Sequence, residues 1–305
     1  MVDTYQLVDV GPRFTPLRYG LLSAADEATD GDAHWQMGTV FQGDICAVPA
    51  TVTGGPCKAT GITKVPSVSG IPSSAAQSFA VYAWIYCSPV GHGDNLADLT
   101  DRTSRLLTNG EGRAVESVFW SGVASNGTVA PHLAANAQVL AAAQGAMTVE
   151  LQSAATAVTT GAPVDVVEAL GLLEGALGAC YGGEGIIHIP AGALPHLDAW
   201  SLVRAEGAVL RTRAGHKVAV YASNNRQGPT GANAAAGQAW LYATGNVVFR
   251  RGPIRPLGTK PADFVGRADN STVYVVERTY VLDWDCCHFA AQVSLGGVAA
   301  GGVGA

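Results

Sequence analysis

The most conspicuous shortage in this 305-residue sequence is charge. Asp, Glu, Lys and Arg make up 14% of it, against about 25% in an average soluble chain. Lysine occurs only at positions 58, 64, 217 and 260. The formal net charge is −6, which excludes a protein that grips nucleic acid through many phosphate contacts. No apolar run approaches the ~18 residues of a membrane-spanning helix. The opening MVDTYQLVDVGPRF carries two aspartates and no basic stretch before an apolar core, so no secretory signal is expected. The six cysteines, at 46, 57, 87, 180, 286 and 287, form no CxxC motif. The expectation is buried reduced thiols rather than a disulfide framework. Catalytic motifs are missing too: no GxxxxGK[ST], no GxSxG, no HExxH and no paired acidic motif. No cofactor, metal or enzymatic activity is expected. Cys180 with His188, or Cys57 with any histidine, keeps a soluble α/β enzyme open as an alternative.

What is present is small and apolar. Hydrophobic residues reach 48%, with 38 glycines. A charge-poor, Gly/Ala-rich surface is what a chain shows when other subunits cover much of its outside. Residues 1–50 read as an irregular arm, broken by Pro12, Pro16 and Pro49, with short elements around Leu17–Ala25 and with Trp35 and Phe41 as anchors. Residues 51–78 are rich in Thr, Ser, Gly and Pro, an unusual length for one connection; their Val and Thr content favours extended backbone. FAVYAWIYCS (79–88) is the clearest strand, apolar on both faces and so expected to be covered on both sides.

The clearest helix spans 95–121. Asp94 fits its N-cap. Leu96, Leu99, Thr103, Leu106, Gly110, Ala114 and Phe119 trace its apolar stripe, widened by Leu107, Val115 and Val118. Asp98–Arg102 and Asp101–Arg105 are i,i+4 pairs, Gly110 and Gly112 allow a bend, and Gly122 stops the helix. A second helix is expected over 163–181, with Pro163 in its first turn and Gly182-Gly183 ending it. GIIHIP (185–190) reads as a buried strand, 191–205 as a third helix, 206–221 as turn plus strands, 238–250 as a hairpin turning at Thr244–Asn246, and 271–295 as two strands. The last ten residues read as a loose tail.

Local motifs have bland explanations. GGEG (182–185) follows a helix, whereas a phosphate loop follows a strand, so it reads as a helix end. Cys286-Cys287-His288 reads as strand residues, with at most two ligands on one face. Asn126-Gly-Thr128 and Asn270-Ser-Thr272 read as turns. Glu277 and Arg278 interrupt an apolar strand; they are either an outward face or an ion pair between subunits.

The order of these segments carries a resemblance. NLADLTDRTSRLLTNGEGRAVESVFWSG (95–122), GIIHIPAGALPHLDAW (185–200), LRTRAGHKVAVYASNNRQGP (210–229), AWLYATGNVVFRRG (239–252) and RADNSTVYVVERTYVLDWDCCHFAAQVSL (267–295) resemble, in sequence order and texture, the tailed-phage major capsid proteins of the Hong Kong 97-type fold. The phrasing is similar to that of capsid proteins from phages of actinobacteria. The likeness runs over most of 17–295.

That resemblance implies an α+β fold with an N-terminal arm (1–50), an extended loop and return strand (51–90), a peripheral domain (91–162) built on a long spine helix, an axial domain (163–262), and peripheral return strands with a tail (263–305). It implies hexamers and pentamers of an icosahedral head around double-stranded DNA, assembled in the host bacterial cytoplasm and found in the virion. A separate scaffolding protein, a portal and a decoration protein would be partners, DNA would be held only weakly and non-specifically, and no membrane would be bound. Subunit contacts are expected at Trp35, Phe41, Ile62, Val65, Glu277 and Arg278, and Asn224, Asn225, Arg226 and Gln227 are expected nearest the capsomer axis. No charged N-terminal scaffolding segment is present, unlike relatives with a cleaved delta domain. Lys58 and Lys64 lie on the loop that carries a cross-linking lysine in some relatives. An encapsulin-type compartment shell, a minor head protein and a tail-tube protein are the neighbouring alternatives.

Overall fold

A computed structural model describes residues 14–29, 33–42, 73–87, 96–135, 155–159, 161–222, 226–257, 265–266 and 271–296. Ile62, Val65, Asn224, Asn225, Asp94, the 51–72 part of the Thr/Gly/Pro segment and the last nine residues lie outside them.

Two sheets and one long helix organise the described residues. The first sheet has six strands: β1 (Asp26–Glu27), β4 (Phe79–Cys87), β13 (Val247–Arg251), β14 (Arg255–Pro256), β15 (Val265–Gly266) and β16 (Ser271–Trp284). Its backbone is β16, which pairs antiparallel with β4 along nine residues and with β13 along five. The second sheet has seven strands in the order β7 (Thr156–Ala157), β17 (His288–Ser294), β12 (Gln238–Thr244), β8 (Ile186–Pro190), β11 (Lys217–Tyr221), β10 (Val209–Thr212) and β9 (Val203–Glu206). Two small hairpins, β2 (Thr39–Gln42) with β3 (Ser73–Ala76) and β5 (Val123–Ala124) with β6 (Gly127–Thr128), complete the strands. The helices are α1 (Leu21–Ala24), α2 (Leu96–Ser121), α3 (Val166–Cys180) and α4 (Leu194–Ala199).

The long helix forms as its periodicity requires, and 26 residues span about 39 Å. Its buried line is stricter than expected: Leu99, Thr103, Leu107, Glu111, Val115 and Phe119 follow one another at every fourth residue, joined by Glu116 and Trp120. Leu106, expected on that stripe, is exposed. The line packs onto β4 and β16. Gly122 ends the helix at φ +70°, where an added Cβ would meet the His132 ring at 2.6 Å, so both conformation and space demand glycine.

Helix α3 starts later than Pro163 suggests. Asp165 caps it, its Oδ1 accepting from the backbone N–H of Val167 and Glu168 at 2.8 and 2.9 Å, so Pro163 lies outside the first turn. Its apolar face of Val166, Ala169, Leu170, Leu173 and Leu177 covers one side of the second sheet, meeting Ile187, Ile189, Val218, Val220, Leu241, Ala243, Ala291 and Val293. The alternate residues, Ile186, Ala219, Tyr221, Tyr242 and Ala290, face a separate core with Phe119, Trp120 and the first sheet. All five residues of β8 are therefore buried. The third helix is shorter than expected. It ends at Ala199, and residues 203–205 belong to β9, which pairs with β10.

Three further expectations give way. The hairpin over 238–250 does not form: β12 pairs with β17 and β8 in the second sheet, while β13 pairs with β16 in the first. The chain changes sheets at Gly245–Asn246 and again between β16 and β17, and the two crossings are bonded to each other. The Gly245 N–H donates to the Cys286 carbonyl at 2.7 Å and the Asp285 N–H to the Asn246 carbonyl at 2.8 Å. A Cβ at Gly245 would stand 2.5 Å from the Cys286 carbonyl oxygen, so only glycine permits this approach. Second, Cys286 and Cys287 sit in this bend, not in a strand, with Cys287 at φ +61°. Third, Cys180 and Cys287 are joined in a disulfide, and Cys286 is disulfide-bonded as well. The expectation of reduced thiols fails because the packing of α3 along β17 brings the helix end to the bend, 107 residues away in sequence.

Candidate assembly surfaces

From Val81 to Tyr86, strand β4 alternates aliphatic and aromatic residues. Phe79 and Val81 point into the core, with Ala83 and Ile85 packed against it. Tyr82, Trp84 and Tyr86 point the other way and are 49%, 59% and 55% exposed. The Tyr82 and Trp84 rings stack obliquely with centroids 5.7 Å apart. On β16 the residues in register with this row are Glu277, Val275 and Val273, and Val273 is also exposed. The strand expected to be covered on both sides is thus covered on one. The open side is an apolar sheet face, a feature that isolated soluble chains seldom present.

Behind that face the charges are satisfied internally. The Arg278 guanidinium donates to both carboxylate oxygens of Glu111, at 3.1 and 2.9 Å, and the Tyr280 hydroxyl donates to the same carboxylate at 2.7 Å. Arg278, expected on an outward face or in an ion pair between subunits, has a partner within the chain, because α2 places Glu111 directly beneath it. Burial, with the Glu111 carboxylate as acceptor and neighbouring charge, holds the Tyr280 hydroxyl protonated far above its ordinary range. Glu277 lies half-buried on β16, opposite Tyr82 on one side and Arg255 on the other.

A second carboxylate on α2 ties three segments together. Glu116 Oε1 accepts from the Leu21 N–H at 3.1 Å and Oε2 from the Ala222 N–H at 3.0 Å. Burial nevertheless pushes its pKa up, against those two hydrogen bonds. Gly20 leaves the space for it, since a Cβ there would collide with Oε1. One residue thereby holds the N-terminal segment and the end of β11 to the helix.

The stretch expected nearest a symmetry axis is rooted in the same corner. The Gln227 carbonyl accepts from Trp120 Nε1 at 3.1 Å and from the Tyr242 hydroxyl at 3.0 Å. Arg226 donates to the Ala234 carbonyl, and the Ala234 N–H returns a bond to the Arg226 carbonyl. Beneath lies His188, fully buried, with Nδ1 2.9 Å from the Tyr221 hydroxyl and Nε2 2.9 Å from Thr244 Oγ1. Burial first, then the nearby His288, lowers its pKa to about 3, so it is a neutral structural hydrogen-bonder. Cys180 is bonded to Cys287 and both ring nitrogens of His188 are engaged by Tyr221 and Thr244, so the two do not pair; Cys57, the other thiol of the enzyme alternative, lies outside the described residues.

Along the outside, a chain of ion pairs runs from one sheet to the other. Glu27 bonds Arg251 through two contacts at 2.8 and 3.0 Å; Asp26 bonds Asn246 and Lys217 at 2.7 and 3.0 Å. Lys217 and Arg211 reach Glu184, and Arg211 continues to Glu206. Burial acts to raise the Asp26 pKa, but the hydrogen bonds from Asn246 and Lys217 and the Lys217 charge bring it below the ordinary value.

Trp35 is half-buried in the turn Ala33–Met37, which packs on β16, and a Cβ at Gly252 would touch its ring. Phe41 lies on β2 opposite Ser74. The features that sequence reasoning missed are Glu111 with Tyr280, the outward aromatic row and the Cys180 bond. The row had a signal, the period-two recurrence of Tyr82, Trp84 and Tyr86 between Val81, Ala83 and Ile85. Among the described residues, no group of three His, Cys, Asp or Glu side chains is placed to hold a metal ion, and no helix is long and apolar enough to cross a membrane.

The chain matches no protein-family model and no curated protein. Solved structures do match. The chain of the capsid of an empty GTA particle superposes with a TM-score of 0.53 at 15% identity, over 95% of this chain and 94% of that one. The fold is that of a capsid chain. This capsid fold recurs in a chain of Mycobacterium phage Bobi, with a TM-score of 0.50 at 13% identity over 98% and 96% of the two chains. It recurs again in Mycobacterium phage Adephagia, with a TM-score of 0.50 at 14% identity over 96% and 94%. At these identities the likeness is one of fold.

Proposed function

We propose that this chain is the major capsid protein of a tailed phage, with the Hong Kong 97-type arrangement of arm, extended loop, spine helix, and peripheral and axial domains. The observation that carries the reading is the capsid fold running end to end, over 95% of this chain and 94% of the GTA capsid chain. Two physical features support it. Charge is scarce at 14%, and the sheet holding β4 leaves an apolar aromatic face open, as expected of a surface completed by further copies of the same chain.

In this reading α2 is the spine helix and Glu116 fixes the arm to it. The second sheet with α3 and α4 belongs to the axial domain, and residues 224–227 approach the capsomer axis. The arm and the 51–78 segment lie over neighbouring subunits, with Trp35, Phe41, Ile62 and Val65 as anchors and Glu277 at the subunit contact. Copies form hexamers and pentamers, with a scaffolding protein, portal and decoration protein as partners. The acidic balance suits a wall along which packaged DNA slides. The head assembles in the host bacterial cytoplasm and persists in the virion. Electron microscopy of the purified protein, with light scattering on the same sample, tests the reading. Hollow shells, hexamers or pentamers are expected; a monodisperse monomer or dimer, even with the scaffolding protein added, overturns it.

A further inference from the structure

The Cys180–Cys287 bond stands at a particular place. Cys180 is the last residue of α3 and is exposed to solvent. Cys287 lies in the bend where the chain passes from the first sheet to the second, beside the crossing at Gly245 that is hydrogen-bonded to the same bend. A covalent link here joins the helix covering the outer side of the second sheet to the hinge between the two sheets. It also closes a loop of 107 residues, long enough to remove much of the freedom of the unfolded chain. The bend is held without it, by the Gly245 and Asp285 N–H bonds, and α3 by its own apolar face. The two thiols are therefore brought together by packing before they are joined.

We propose that Cys180 and Cys287 form a redox-controlled staple, reduced while the chain is in a reducing cytosol and closed by dioxygen once the assembled particle leaves it. In the closing step two S–H bonds break and one S–S bond forms. The thiols lose two electrons and two protons to dioxygen, which becomes hydrogen peroxide. Solvent exposure of Cys180 gives the oxidant, or a reducing thiol, access to the pair. The staple raises the resistance of the particle to heat without altering how the subunit folds. The release step rests on the capsid reading; the chemistry of the pair does not.

The test uses the full-length chain made in a reducing bacterial cytosol, whether or not it assembles; assembly is scored separately by microscopy, so the two readings fail independently. Thiols are blocked with N-ethylmaleimide inside cells, or after air exposure of the purified protein, and peptides are mapped by mass spectrometry without reduction. The expectation is alkylated Cys180 and Cys287 from cells, and a Cys180–Cys287 linked peptide after air. Oxidised wild type should melt roughly 5–10 °C above oxidised Cys180→Ser, with the gap closing in dithiothreitol. Because Cys180 is exposed, its serine and alanine variants should both fold; Cys286 is disulfide-bonded as well, so reductant alone does not isolate this pair, and agreement of the two variants gives the reading. A bond already complete inside cells, thiols still free after air, Cys180 joined to another cysteine, or no gap in melting would each overturn the proposal.

Discussion

The two sheets are built from similar residues and treated differently. The second is covered on both sides, by α3 and α4 on one and by the end of α2 and the first sheet on the other. Its inner strands are accordingly buried on both faces, as in IIHIP, where all five residues are buried. Among the described residues, the first sheet packs its inner side on α2 and on the second sheet. Its strand β4 keeps aliphatics inside and turns Tyr82, Trp84 and Tyr86 to solvent. The contrast shows that an apolar strand is covered on both faces in one sheet and on one face in the other, and composition alone does not separate the two.

Breaking the shared corner of the two sheets should have the largest effect. Trp120 is fully buried against the Tyr221 and Tyr242 rings at 5.1 and 5.0 Å. Trp120→Ala should cost about 4 kcal/mol and orphan one bond to the Gln227 carbonyl, read as a lowered urea midpoint. Next comes the ion pair under the first sheet. Arg278→Ala leaves the Glu111 carboxylate, 8% exposed, with only Tyr280 as its bonded partner, and should cost about 3 kcal/mol by the same measurement. Replacing Arg278 and Glu111 together by leucine should recover part of that loss.

A smaller, pH-dependent effect belongs to the second sheet. His188 stays neutral in the fold down to about pH 3, whereas in the unfolded chain it takes up a proton near 6.5. Below about pH 6.5 the unfolded state therefore binds more protons, and stability falls by up to about 1.4 kcal/mol per pH unit. Burial lowers the His132 pKa in the same direction. Urea midpoints at pH 7, 6 and 5 should fall in order, and His188→Gln should flatten the series. The smallest effect is expected on the open face. Trp84→Ser should change the stability of the isolated subunit by less than about 0.5 kcal/mol in a thermal melt, and a larger loss would mean the row is already covered within the subunit.

Legibility in the sequence followed the range of the interaction. α2, β4, β8 and the end of α3 were readable because periodicity or Gly182 acts within a few residues, whereas the start of α3 was placed at Pro163 and is set by Asp165. The strand pairings were not. QAWLYATGNVVFRR reads as a hairpin because a Thr-Gly-Asn turn links two apolar runs, yet β12 pairs with β17 and β13 with β16, both far downstream, and Gly245 sends them to different sheets. Arg278 was visible as a charge in an apolar strand, but its partner was not, since the two lie 167 residues apart. The disulfide was hidden for the same reason.

The first sheet closes on its own beginning. β1 runs parallel to β13, and the bonds that hold it, Asp26 with Asn246 and Glu27 with Arg251, join residues 220 and 224 apart. The long strand β4 waits in the same way for β16. On a ribosome, where the N-terminal part emerges long before its partners, this sheet has nothing to pair with until nearly the whole chain has been made. Completion of synthesis thus acts as a timer. A chain that stops before β16 lacks the strand on which the aromatic row of β4 is laid out.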